Sequence, residues 1–219
     1  MAVINVNNIQ LHYTKTGQGN PLLLLHGNGE DHHIFDRLSE KLKDHFTIYA
    51  IDSRNHGQSS MTDQYDYEVM AEDISAFITL LKLKNVHILG FSDGAILAII
   101  LGIKSVPMLN KFALLGANTQ PSQLKPEIYS SIVKEYEETK DPLFKLMMEQ
   151  PTIPLEELSK IKQPTLIIAA DNDLCETDFF EQMQQIIPNS ELKIMKNHDH
   201  GSYIIDNDIL AQPLLDFFQ

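Results

Sequence analysis

Short apolar runs rich in leucine, isoleucine and valine, each closed by turn residues, recur along the chain: VINV, IQLHYTKT, PLLLLHG, FTIYAID, VHILGFS, FALLGAN, PTLIIAAD and ELKIMKN. Runs of this length and composition read as strands. The later ones are almost continuously hydrophobic, the pattern of parallel strands covered on both faces. Between them lie HHIFDRLSEKLKDH, YEVMAEDISAFITLLKL, AILAIILGIKSV and DFFEQMQQIIP, whose apolar positions fall at helical spacing. The first two runs, split by Asn7-Asn8, predict an antiparallel hairpin at a sheet edge. The remainder alternates strand and helix, so the expected fold class is α/β: a doubly wound, mostly parallel eight-stranded sheet with helices on both faces.

One stretch breaks the alternation. Within residues 118–162, Pro121, Pro126, Pro142, Pro151 and Pro154 divide short helical pieces such as EIYSSIVKEYEE and PLFKLMMEQ. Proline removes a helical hydrogen bond and clashes with the preceding turn, so the stretch reads as a proline-broken helical excursion. The stretch has no core pattern of its own, and we expect a single domain over 1–219 in which 118–162 is a short lid on the ligand-binding edge of the sheet. Leu146, Met147, Met148 and Ile153 are candidates for its inner face, against the simpler reading that a methionine-rich stripe only packs.

Composition narrows the partners. The net charge of −13 is spread through the sequence without a basic patch, which argues against nucleic acid and anionic membrane surfaces. The start MAVINVNNIQ lacks a basic and then apolar leader pattern, and no run approaches a bilayer span, so a soluble cytoplasmic setting is expected. A lone Cys175 excludes an internal disulfide and a cysteine-based zinc site. Oligomeric state has no signature in the sequence.

In a parallel sheet, ligands bind beyond the carboxyl ends of the strands. The polar residues there are HGNGED, IDSRNHGQSS, GFSDG, ADND and NHDHGS. Gly90-Phe91-Ser92-Asp93-Gly94 has the form G-x-S-x-G between a predicted strand and helix. So tight a turn crowds its flanking residues, needs them small, and pushes the serine hydroxyl into the open at a helix N-terminus, where free N–H groups can stabilise an oxyanion. A dinucleotide fingerprint is excluded, because GNGEDH lacks the third glycine and GQG precedes a strand.

These motifs, in this order, resemble the α/β-hydrolase fold superfamily in its small serine-hydrolase, esterase-like branch: HGNG, D-x-R-x-x-G-x-S at Asp52 to Ser59, GFSDG, PTLIIAADND and HDHGSY. The resemblance covers nearly the whole chain. It departs at Asn55, where members usually have glycine. It implies a triad of Ser92, Asp173 and His200. Both His198 and His200 follow the last predicted strand, and the family pattern selects His200 as the residue before the small-Ser-Tyr run. The same pattern favours Asp173 over Asp171 as the acid. The oxyanion hole is then formed by the backbone N–H groups of Asn28 and Asp93.

The expected function is cleavage of small ester-like substrates through an acyl-enzyme on Ser92, without cofactor or metal. Thioester, amino-acid-ester or carbon–carbon bond hydrolysis on the same triad is the alternative, and a non-catalytic small-ligand binder is the reading from a different class. A metal site built on His198 and His200 with His32, His33 or His56 is the weaker rival, since no H-x-x-x-H or H-x-H-x-D-H string is present. The remaining question is the Asp93 side chain. It either faces the pocket, favouring cationic acyl groups, or caps the following helix.

Overall fold

A computed structural model describes residues 2–219. Its strands are β1 (Ala2–Val6), β2 (Ile9–Gly17), β3 (Asn20–Leu25), β4 (Phe46–Ile51), β5 (Val86–Phe91), β6 (Leu109–Leu115), β7 (Thr165–Asn172) and β8 (Ser190–Asp199). They form one sheet in the order β1-β2-β4-β3-β5-β6-β7-β8. β1 and β2 are an antiparallel hairpin, β2 also pairs antiparallel with β4, and every later pairing is parallel. Asn7 and Asn8 both have positive φ, the conformation that a two-residue hairpin turn demands and that asparagine tolerates.

Among the described residues there are seven α-helices: α1 (Asp36–Leu42), α2 (Tyr67–Leu80), α3 (Asp93–Ile103), α4 (Pro126–Thr139), α5 (Pro142–Glu149), α6 (Thr177–Ile186) and α7 (Ala211–Phe218). The leucine run of β3 shows why both faces need covering. Leu23 and Leu25 join a core with residues of α2, α3 and α6, while Leu22 and Leu24 join a second core with residues of α1 and α7. All four leucines are fully buried, each stabilising the fold by about 2 kcal/mol relative to exposure.

Two elements differ from the sequence expectation. The HHIFDRLSEKLKDH segment opens as a 3-10 turn over His32–Phe35 before α1 begins, because His32 is tied to Asp52 through its backbone N–H and its ring. The unanticipated α7 is short and contains Pro213, yet proline in the first turn removes only an N–H that has no helical partner. Leu214 and Phe218 anchor it on the second core. Among the described residues no helix is long and apolar enough to cross a membrane.

Candidate active site

The strand-to-helix turn at 90–94 is held by contacts no larger residue would permit. A Cβ on Gly90 would lie 2.2 Å from the carbonyl oxygen of Gly94, and one on Gly94 would lie 2.0 Å from that of Leu25. Between them Ser92 sits at φ 52°, ψ −115°, a conformation L residues rarely adopt. Its N–H bonds the carbonyl of Leu115 at the end of β6, and its carbonyl accepts from Ala95 and Ile96 in the first turn of α3. Strain of this kind, about 1–3 kcal/mol, persists only where neighbours over-determine it.

Asp173, just beyond β7, and His200, just beyond β8, meet at 2.6 Å between Oδ1 and Nδ1. The carboxylate is buried and accepts the N–H groups of Ala170 and Leu174. Burial alone would raise its pKa; the His200 hydrogen bond and charge, with those N–H groups, more than offset this and hold it below the usual carboxylate range. An ionised Asp173 can only accept, so His200 Nδ1 carries a proton, and in the neutral ring the lone pair is then on Nε2. The imidazole lies against Phe91, ring centroids 4.8 Å apart, and against Gly116, where a Cβ would fall 2.6 Å from Cε1 and 2.8 Å from Nδ1. Gly116 has φ +59°. It was not singled out in the sequence, although a glycine directly after a strand on the binding edge was the available signal.

Ser92 and His200 face one pocket of about 360 Å³, walled by Gly27–Glu30, Phe91, Leu143, Phe144, Met147, Leu174 and Ile205 among others. Of the apolar residues expected on an inner face, Met147 lines it. Leu146 and Ile153 instead pack into the core, and Met148 lies against that core, because the side of α5 that faces the pocket carries Leu143, Phe144 and Met147. Among the described residues, the charged and titratable groups lining the pocket are Glu30, Asp141 and His200, and neither lysine nor arginine lines it. Glu30 accepts the N–H of Gly27 at 2.9 Å. Burial pushes its carboxyl up to about 6, against the pull of Gly27 and of His200. An acid three residues after Gly27 was legible, but its return onto the turn was not.

The HGNG turn follows β3. His26 donates from Nδ1 to the carbonyl of Gly27 and accepts at Nε2 from the N–H of Ser53, so it bridges the ends of β3 and β4 in its neutral form. Burial, reinforced by His56, lowers its pKa to about 4. The carbonyl of His26 accepts from Gly94, tying the turn to the start of α3. Among the described residues the backbone N–H groups of Asn28 and Asp93 donate to no protein acceptor.

The Asp93 side chain does not cap α3. Its oxygens accept from the Tyr67 hydroxyl at 2.7 Å and from Asn28 Nδ2 at 3.0 Å, both outside that helix. Nor does it line the main pocket; with Tyr67, Ser92 and Asn118 it borders a side cavity of about 10 Å³. Burial raises its pKa, opposed by the two hydrogen bonds.

The other polar residues named from the sequence are dispersed. Asp171 accepts the N–H groups of Asn197 and His198, bracing β7 against β8. His198 lies within β8 rather than after it, and its Nδ1 pairs with Ser202. His33 is exposed beside Asp36, and His32 is spent on Asp52. His56, named as a rival metal ligand, is buried, with Nδ1 on the carbonyl of Arg54. Asn55 stands at φ 64°, which accounts for a glycine-like position that asparagine can fill. Its side chain ties the loop by donating to Gln64 and accepting from Thr62. Burial pushes the Cys175 thiol up to about 12, so it stays protonated.

The family model described as alpha/beta hydrolase fold matches residues 20–147. The AB hydrolase superfamily protein YisY of Bacillus subtilis is 28% identical over an alignment covering 92% of this chain and 98% of that protein. Human serine hydrolase BPHL is 35% identical over 65% of this chain and 52% of its own length. Among solved structures, the esterase EaEST of Exiguobacterium antarcticum superposes with a TM-score of 0.83 at 21% identity, covering 97% of each chain.

Proposed function

We propose that this chain, a member of the α/β-hydrolase fold family, is a serine hydrolase that cleaves small ester-like substrates through an acyl-enzyme on Ser92. One observation carries the reading. A serine held at positive φ shares a pocket with an imidazole whose other nitrogen is fixed 2.6 Å from a buried carboxylate. The similarity to a protein named serine hydrolase and the fold shared with an esterase support it.

In this reading His200 Nε2 takes the Ser92 proton as Oγ attacks the carbonyl carbon. The backbone N–H groups of Asn28 and Asp93 hold the oxyanion, and Asp173 stabilises the imidazolium without taking its proton. His200 then protonates the leaving group. A water deprotonated by the same histidine attacks the acyl carbon and releases the acid and free Ser92. Residues 118–162 serve as the lid, with Leu143, Phe144 and Met147 against the acyl group. A pocket of about 360 Å³ suits small acyl groups. Its acidic lining disfavours anionic ones.

A panel of p-nitrophenyl esters of increasing chain length, run with a thioester and a carbon–carbon bond substrate, tests the reaction class. Ser92→Ala is expected to abolish fluorophosphonate labelling and to cut ester turnover by roughly four orders of magnitude or more while the fold persists. Near-native turnover in that variant ends the proposal. Absence of labelling and turnover in the parent protein leaves a small-ligand binder.

A further inference from the structure

The two backbone N–H groups assigned to the oxyanion come from loops far apart in sequence, and their spacing decides how well they meet a developing charge. One backbone link joins these loops, from the N–H of Gly94 to the carbonyl of His26 at 3.0 Å. A side-chain link joins the two donor residues themselves. Asn28 Nδ2 donates to Asp93 Oδ2 at 3.0 Å, and Asp93 Oδ1 takes the Tyr67 hydroxyl at 2.7 Å. Tyr67 is the first residue of α2 and is buried, and its N–H donates to Gln150 Oε1 just after α5. Asn28 Nδ2 also approaches the carbonyl of Leu143 in the first turn of α5 at 3.4 Å.

Resting on the acyl-enzyme reading above, we infer that the Asp93 carboxylate, gripped by Tyr67 and Asn28, is a clamp that sets the spacing of the two oxyanion donors, with Tyr67 as a positioning residue. The competing role, recognition of a cationic acyl group, fits the geometry poorly. Both oxygens already have donors, the residue is 3% exposed, and the cavity it borders, about 10 Å³, has room for about one water. Burial and the Asp93 charge push the Tyr67 phenol well above its ordinary range, so it stays protonated and donates. The clamp acts on the transition state, where the oxyanion exists, and leaves ground-state binding alone.

The test measures kcat and KM for Tyr67→Phe, Asn28→Ala and the double variant on a neutral p-nitrophenyl ester and on an α-aminoacyl p-nitrophenyl ester. Removing an oxyanion donor outright costs about 100- to 1,000-fold, so misplacing one is expected to cost less: kcat falls about 10-fold in Tyr67→Phe and about 50-fold in Asn28→Ala, equally on both esters, with KM within about twofold. The double variant loses less than the product of the singles, because both act on one carboxylate. Backbone amide resonances of Asn28 and Asp93 should shift in Tyr67→Phe while those of β1 stay in place. Unchanged kcat, a loss confined to the aminoacyl ester, or a rise in KM at constant kcat each overturns the clamp. Failure of the parent protein to label with fluorophosphonate overturns the acyl-enzyme reading instead, and the amide shifts still decide whether the carboxylate holds the two N–H groups.

Discussion

Asp173 with His200 and Asp52 with His32 are the same chemical pair in two settings. Each aspartate lies at the carboxyl end of a parallel strand, β7 or β4, and each meets an imidazole Nδ1, at 2.6 Å and 2.7 Å. Both carboxylates are buried, and in both burial is outweighed by hydrogen bonds that hold the pKa below the usual range. They differ in what surrounds the imidazole. His200 lines the pocket with Ser92, whereas His32 Nε2 is buried without a partner among the described residues. The second oxygen of Asp52 takes His12 Nδ1 and the N–H of Gln58, so this carboxylate braces β2, the turn after β3 and the loop after β4. An aspartate–histidine pair can serve as a base only where its far nitrogen reaches a cavity; elsewhere it is a joint.

Breaking the two pairs separately gives the largest contrast. Asp173→Asn should lower kcat by about three to four orders of magnitude in protein that still folds, because the wrong tautomer of His200 is then favoured. Asp52→Asn should do the reverse: a loss of about 3 kcal/mol in urea unfolding, since a buried pair loses its charge, and turnover per folded molecule within about twofold. A collapse of kcat in folded Asp52→Asn would show that the brace reaches the chemistry.

Acid sharpens the comparison at the next level. His26, whose Nε2 holds the N–H of Ser53 beside Asp52, has a folded pKa lowered from 6.5 to about 4 by burial. Between those values the unfolded chain takes up a proton on this residue that the folded chain refuses, so the His26 contribution to stability is fully present above pH 6.5 and declines as pH falls toward about 4. The loss is about 3 kcal/mol at 1.4 kcal/mol per unit. The depressed Asp52 and Asp173 add their own losses only below about 3.8, where the unfolded carboxylates begin to protonate. Urea unfolding at pH 7 and pH 4.5, repeated in His26→Gln, should show a shallower decline in the variant.

The smallest expected effect probes the surface against which His200 rests. In Gly116→Ala the new methyl would crowd the imidazole at 2.6 Å and occupy a backbone at φ +59°, so His200 must move. A displacement of that size is expected to cost about 10- to 100-fold in kcat. Turnover unchanged in Gly116→Ala would mean that the ring has room to adjust. No equivalent glycine contact is found at His32 among the described residues.

Much of this was legible along the chain. Strand runs, the hairpin turn at Asn7-Asn8 and the crowded elbow at 90–94 depend on neighbouring residues, whose conformational limits act wherever the chain goes. The short α7 was not anticipated, and its stability comes from the core on which Leu214 and Phe218 land. Of Leu146, Met147, Met148 and Ile153, only Met147 lines the pocket, since which side of α5 faces Ser92 depends on the docking of that helix.

By itself, then, the sequence determined the order of elements and the residues able to do chemistry at each strand end, because turn geometry and periodicity are local properties. The tertiary structure decided which of nine histidines opens onto a cavity and where each buried carboxylate finds its donors. Asp93 meets Tyr67 from 26 residues away and Asn28 from 65. Contacts across such separations are set by how strands order in the sheet and helices pack on it, and a carboxylate's role follows from the donors and the space it meets there.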